Sequence, residues 1–221
     1  MAVPVVDSAI SQVPIALTRA GVMEYEPALE LQRSIHREVA AGERENTLLL
    51  LEHPSVYTAG KRTQDHERPH NGTPVIDVDR GGKITWHGLG QIVGYPIIRL
   101  AKPTELVGFV REIESALIAT CRELGLSTTR VEGRSGVWVV DEKGERKIAA
   151  IGIRVASGVT MHGFALNVAP NLDAFEAIIP CGISDASVTS LEIELGRSIS
   201  VAEVLPVVEK FMYESLAKVS R

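Results

Sequence analysis

Cys181 stands between Pro180 and Gly182, outside any helical stripe and at a turn where a side chain can reach solvent. A thiol placed there is a candidate nucleophile. With an unperturbed pKa of about 8.5, only about 3% of such a thiol is thiolate at neutral pH, so the chemistry needs a cation nearby. A lysine at about 4 Å, in an effective dielectric of about 20, favours the thiolate by up to about 4 kcal/mol, an upper bound of roughly three pKa units. Lys147 opens a strand that continues through the small apolar run Ala149-Ala150-Ile151-Gly152, whereas Lys143 and Arg146 fall in the charged turn before it. Spacing favours Lys147 without excluding the other two.

A second concentration of chemistry is Arg80-Gly81-Gly82-Lys83-Ile84-Thr85-Trp86-His87-Gly88-Leu89-Gly90-Gln91, which continues through Val93 to Pro96. Glycines allow close approach to the backbone, and Thr85, Trp86 and Tyr95 favour strands. The pattern reads as strand, glycine turn, strand, with a binding floor where the glycines sit. No Gly-Lys-Ser/Thr follows, and Gly88, Gly90 and Gly94 miss the dinucleotide spacing by one residue, which argues against a phosphate cradle. A glycine-rich hairpin that only turns the chain is the competing reading. His66 and His70 lie in a charged loop where solvated histidines are commoner than ligands, so no metal is expected.

These groups must be positioned by a regular scaffold. Apolar residues at Ala28, Leu31, Ile35 and Val39 predict a helix over 25–41 ended by Gly42, and a stripe through Leu106, Phe109, Val110, Ile113, Leu117, Cys121 and Leu124 predicts another over 104–124. That stripe makes Cys121 a core residue. Residues 47–52 read as a buried strand, 56–58 and 74–78 as short ones, and 61–72 as a mobile surface loop. From 137 to 168, three strands on short turns form an antiparallel meander. A short helix is expected over 171–179, and a fourth over 200–216, opened by the capping box Ser200 to Glu203 and holding Pro206. Residues 1–14 read as a loosely held arm before a single catalytic domain, 15–221.

With 221 residues, 45% of them hydrophobic, the chain can bury a full core. A net charge of −5 argues against bulk nucleic-acid binding. Two cysteines make no disulfide framework, and neither a leader nor a membrane span is visible, so a cytoplasmic, soluble protein is expected.

The segment from Arg80 to Gln91 closely resembles the signature of the octanoyltransferases of lipoate biosynthesis, in the biotin/lipoate protein ligase-like superfamily. Four further segments match in order: Glu52-His53-Pro54 with Tyr57-Thr58-Ala59-Gly60, Lys147-Ile148-Ala149-Ala150-Ile151-Gly152, His162-Gly163-Phe164-Ala165-Leu166-Asn167, and Pro180-Cys181-Gly182-Ile183. Leu89 replaces the family's usual proline, which puts the rigidity of that loop in question. The resemblance implies an α+β domain, with a large, mixed, mostly antiparallel sheet and flanking helices. It implies an enzyme without cofactor that moves octanoyl from acyl carrier protein to a lysine of lipoyl domains, in 2-oxoacid dehydrogenase E2 subunits and the glycine cleavage H protein.

Carried over residue by residue, Cys181 is the acyl acceptor and Lys147 lowers its pKa. Arg80, Gly81, Gly82, Lys83, Ile84, Thr85, Trp86 and His87, with Ala150, Ile151, Gly152, Gly163, Phe164 and Ala165, line the acyl site. Small residues there are expected to leave a slot, and His87 to help hold the oxyanion. Lys61, Arg62, Lys83, Arg130 and Arg134 are candidates for a basic rim that meets acidic partner proteins. The competing functions are an ATP-dependent lipoate or biotin protein ligase and a non-catalytic acyl-binding protein.

Overall fold

Leu48-Leu49-Leu50-Leu51 is apolar at every position, and a strand of that pattern must be covered on both faces. The computed structural model describes residues 14–69, 72–102, 104–178 and 186–221. In chain order it contains β1 (Ile15–Val22), α1 (Tyr25–Ala41), β2 (Asn46–Glu52), β3 (Val56–Ala59), β4 (Val75–Asp77), β5 (Thr85–His87) and β6 (Gln91–Ile97). Then come α2 (Leu106–Glu123), β7 (Thr129–Val131), β8 (Arg134–Asp141), β9 (Gly144–Ala156), β10 (Val159–Asn167), β11 (Ser187–Val188), α3 (Leu191–Leu195) and α4 (Val201–Leu216).

The main sheet runs β1-β2-β6-β10-β9-β8-β7, with β11 paired to β9, and β4-β3-β5 form a smaller sheet. The β1–β2, β3–β4 and β9–β11 pairs are parallel and the remaining pairs antiparallel, so this single α+β domain has a mixed, mostly antiparallel sheet. The period of two divides β2 between two cores. Leu48 and Leu50 face α2 and α4, with Phe109, Ile113, Leu117, Val208 and Met212. Leu49 and Leu51 face the other way, with Ala28 of α1, Val93, Tyr95 and Ala165. Cys121 is fully buried on the α2 side, and burial pushes its thiol up to about 12.

The helices over 25–41 and 104–124 and the meander form as the periodicity predicts. Ser200 Oγ caps α4 by accepting from Glu203 N at 3.2 Å. The short helix expected over 171–179 is present as a 3-10 helix, Leu172–Ala177. The fourth α-helix among the described residues is instead α3, marked by the Ser190 cap and left-handed Gly196. The loop expected to be mobile and solvated holds a 3-10 turn, Asp65–Glu67, whose Glu67 is buried and paired with Lys83. The arm at 1–13, with His70 and Asn71, lies outside the described residues. No helix among the described residues is long and apolar enough to cross a membrane.

Close packing of β6 on β10 depends on glycine. A Cβ added to Gly163 would lie 1.8 Å from the Gly94 carbonyl oxygen, and neither backbone can retreat without breaking the ladder. Gly163→Ala should cost about 3 kcal/mol or prevent folding. Gly81→Ala, whose nearest obstacle is 3.7 Å away, should leave the urea midpoint in place. A Gly163→Ala protein with the parent midpoint would contradict this packing.

Candidate active site

The α1 face of the main sheet and the small sheet enclose a cavity of about 260 Å³. Its floor is laid by cross-strand rows. Ala150, Ala165 and Val93 are register partners in one row, and Gly152 and Gly163 pair in the row two residues further along. Strand β5 forms a wall, and alternation divides its residues: Thr85 and His87 line the cavity, while Trp86 turns away into a cluster with Tyr57, Ile84, Phe175 and Ile178. Trp86 Nε1 donates to Ser55 Oγ at 2.9 Å.

Lys147 reaches this cavity through an irregularity. Val137 pairs with Ala149 but Trp138 pairs with Lys147, so Ile148 is an extra residue in β9. A bulge of this kind puts two successive side chains on one face. Ile148 and Ala149 accordingly both enter the core, and Lys147 and Ala150 both line the cavity. Lys147 is buried, with its Nζ 4.7 Å from the centre of the Trp138 ring. Beyond it lies a smaller recess walled by Thr85, Asn167, Phe175 and Val188.

Arg80 is 8% exposed and organises the glycine loop around itself. Its Nη1 donates to the Gly81 and Lys83 carbonyls at 3.0 and 2.9 Å, and its Nη2 to the Thr58 carbonyl and hydroxyl at 2.8 and 2.9 Å. Gly60 is required by this arrangement, since a Cβ there would lie 2.5 Å from the Gly82 oxygen. The network continues from Thr58 Oγ1 to His87 Nε2, from His87 Nδ1 to Gln91 Oε1, and from Gln91 Nε2 to Asn167 Oδ1. Asn167 Nδ2 then donates to the Thr189 carbonyl at 2.8 Å, and Thr189 N to the Lys147 carbonyl at 2.9 Å. The turn bearing Leu89 is held at Gly90, whose N–H donates to Glu52 and whose carbonyl accepts from Val168 and Ala169. Rigidity here comes from hydrogen bonds where the expected proline would have supplied it.

Beneath the cavity lie aromatic and imidazole rings. Tyr25 stacks on His87 with centroids 6.2 Å apart, and His53 stands edge-on to His87 at 5.8 Å. His53 Nδ1–H donates to the Met23 carbonyl at 2.6 Å, which leaves Nε2 to accept from Tyr95 Oη–H at 2.8 Å. Burial holds His53 below its usual pKa and, aided by His53 and Arg80, His87 well below it. Burial likewise pushes Tyr25 up to about 12.

A family model described as the lipoyl protein ligase A/B catalytic domain matches residues 24–212. Octanoyltransferases of Salinispora tropica and Nocardia farcinica are 60% and 57% identical to the chain, over 90% and 92% of its length and 94% and 82% of theirs. A bipartite lipoate protein ligase from Thermoplasma acidophilum shares the fold, with a TM-score of 0.67 at 17% identity over 93% of this chain and 91% of that one.

This chain belongs to the lipoyl protein ligase A/B catalytic family.

Within that family it stands with the octanoyltransferases, and it is an acyltransferase. Of the residues that the octanoyltransferase resemblance nominates, Arg80, Gly82, Lys83, Thr85, His87, Lys147, Ala150, Ile151, Gly152, Gly163, Phe164 and Ala165 line the cavity. Gly81 abuts the Ile153 carbonyl outside that lining, and Ile84 and Trp86 belong to the apolar cluster behind it. Cys181 falls within 179–185, outside the described residues.

Two expected roles are revised. The glycines do not simply leave a slot: the missing Cβ of Gly152 makes room for Arg80 Cδ, and that of Gly163 for the Gly94 carbonyl. His87 has both ring nitrogens directed at protein partners, so the neutral ring has no N–H left for an oxyanion. The basic rim also contracts, because Lys83, Arg130 and Arg134 pair with Glu67, Glu114 and Glu145. Lys61 and Arg62 remain exposed, and Arg62 lines the cavity.

Sequence reasoning did not nominate Tyr25, Val93, Tyr95, Ser135 or His162 for the lining. His162 has a left-handed backbone, φ 59, and its Nε2–H donates to Asp79 at 2.7 Å. Burial lowers the His162 pKa, while the His162 hydrogen bond and the Arg154 charge outweigh burial at Asp79 and keep that carboxylate below its usual range. Its sequence signal was the His162-Gly163 step inside the last strand of the meander. Among the described residues no cluster of His, Cys, Asp or Glu is arranged to hold a metal.

The three buried imidazoles fix the sign of the acid response. Each has a folded pKa below its unfolded value, so the unfolded chain binds more protons as pH falls below about 6.5. Stability is therefore full above that value and is lost as pH drops toward the folded values. His87 alone should contribute a slope of about 1.4 kcal/mol per pH unit below it. Urea unfolding between neutrality and mild acid measures this, and a flat profile would contradict the neutral rings.

Proposed function

We propose that the chain transfers octanoyl from octanoyl-acyl carrier protein to a lysine of lipoyl domains, those of 2-oxoacid dehydrogenase E2 subunits and the glycine cleavage H protein, through a thioester on Cys181. Residues 15–221 constitute the catalytic domain, working in the cytoplasm, where a free thiol nucleophile stays reduced. The observation that carries the reading is Lys147. It is buried between the cavity and the recess walled by Phe175 and Val188, which lie on either side of the 179–185 segment in sequence.

Lys147 as an ammonium favours the Cys181 thiolate. The thiolate attacks the octanoyl carbonyl, the carbon–sulfur bond to the carrier breaks, and the departing carrier thiolate takes a proton from Lys147. The acceptor amine then attacks the new thioester, Cys181 leaves as thiolate, and the neutral Lys147 amine receives the proton lost by the attacking nitrogen. No cofactor enters either step. Val93, Ala150, Ile151, Phe164 and Ala165 give the cavity an apolar side. Burying roughly half a dozen methylenes at about 0.8 kcal/mol each supplies on the order of 5 kcal/mol of binding that depends on chain length.

Mixing the protein with octanoyl-acyl carrier protein, without ATP, should yield one octanoyl adduct by intact mass, and Cys181→Ser should abolish it. An adduct that persists in that variant refutes the nucleophile, and a requirement for ATP with pyrophosphate release favours a ligase. Lys147→Ala should move the alkylation profile of Cys181 to higher pH. An unmoved profile removes the proposed role of Lys147.

A further inference from the structure

On the opposite face of the main sheet from the cavity, α2 carries a carboxylate that its apolar stripe gives no reason to expect. Glu114 is completely buried. Its Oε2 pairs with Arg111 Nη1 at 2.6 Å and Arg130 Nε at 2.8 Å, and Arg130 is itself held by the Arg111 carbonyl and Ser115 Oγ. Its Oε1 accepts from the backbone N–H of Gly136 at 3.0 Å. That N–H lies on β8 one residue before Val137, where the register with β9 slips.

Gly136 is also the residue whose missing side chain leaves room for Lys147. It has φ +115, and a Cβ there would lie 2.4 Å from the Ala149 carbonyl and 3.3 Å from Lys147 Cε. A bulge leaves ladder groups without their usual partners, and a buried N–H without an acceptor costs about 1–3 kcal/mol. Glu114 supplies that acceptor with a charge-assisted bond. The path therefore runs from two arginines, through one carboxylate and one backbone amide, to the glycine whose missing side chain leaves room for Lys147.

We propose that Glu114 is a positioning residue for Lys147: by holding the Gly136 N–H it fixes the bulge that turns the lysine into the cavity. This rests on the reading of Lys147 given above. Without the carboxylate, a regular β8–β9 ladder would place Lys147 and Ala150 on opposite faces.

Glu114→Gln keeps the shape but cannot both accept from Gly136 and face two guanidinium groups without opposing a donor to a donor. In the full-length protein, with folding checked by urea unfolding, this variant should lower kcat for octanoyl transfer about tenfold, with KM for the octanoyl-acyl carrier protein unchanged. Arg130→Gln, which removes one partly exposed partner, should act in the same direction more weakly and serves if Glu114→Gln does not fold. In a Lys147→Ala background either change should have no further effect on kcat. Acetylation of Lys147 by an amine-reactive ester, read by peptide mass, should accelerate several-fold in the Glu114 or Arg130 variant. That readout separates the two ideas. If Lys147→Ala transfers normally, the role of Lys147 fails, yet altered acetylation still supports positioning by Glu114. Unchanged acetylation, or an equal loss of kcat with and without Lys147, would show that Glu114 serves only the fold.

Discussion

Strand β9 must satisfy two incompatible surfaces, and its single extra residue resolves the conflict. On one side it completes a core with α2 and α4, and on the other it floors a cavity that holds Lys147 beside small side chains. A regular period of two cannot deliver Ile148 and Ala149 to the first surface and Lys147 and Ala150 to the second. The bulge does so, at the cost of a positive φ at Gly136 and a displaced N–H that a buried carboxylate accepts. The bulge that carries Lys147 on the front of the sheet is thus joined, through the Gly136 N–H, to a charge cluster behind it.

The polar layer beside the cavity follows a similar logic. Arg80 is buried among carbonyl and hydroxyl oxygens, and its network passes through His87, Gln91 and Asn167 to the backbone around Lys147. Buried polar groups are costly when unmatched and rigidifying when matched. The glycine motif therefore acts less as an open floor than as a frame. Gly60, Gly152 and Gly163 are where other backbone or the Arg80 side chain must pass closely: Gly60 and Gly152 make room for the Arg80 loop, and Gly163 lets β10 lie close to β6.

Much of this was legible in the sequence where one local rule sufficed. The α1 and α2 stripes, Gly42 as a stop, the Ser200 cap and the 137–168 meander each follow from a period or a capping residue. Strand β1 escaped because it is an edge whose alternation is weak, with Leu17 46% exposed and Arg19 paired to Glu209. Strand β11 is two residues long, and α3 announces itself only by Ser190 and Gly196. The site divides in the same way. The segments around Arg80, Ala150 and Gly163 were found, but the facing of Ile84 and Trp86 depends on where β5 begins. Tyr95 and His162 enter through sheet register, and Tyr25 as the first residue of α1. Glu114 and Arg130 meet across 16 positions of sequence, and no local pattern marks that contact.

The energetics of Lys147 connect this architecture to acyl transfer. Among the described residues Lys147 makes no ion pair, and its Nζ lies over the face of Trp138. A cation–π contact contributes roughly 0.5–2 kcal/mol, less than the several kcal/mol that burying an ammonium costs after relaxation. In the proposed reaction the negative charge that Lys147 meets is the Cys181 thiolate or the oxyanion of the attacked thioester. The bulge directs this side chain into the cavity, and the face of Trp138 lies under its Nζ. A fold shared with a lipoate ligase at 17% identity does not by itself specify a reaction. What singles out this site is Lys147, buried beside the small residues Ala150, Gly152 and Ala165 on the cavity floor.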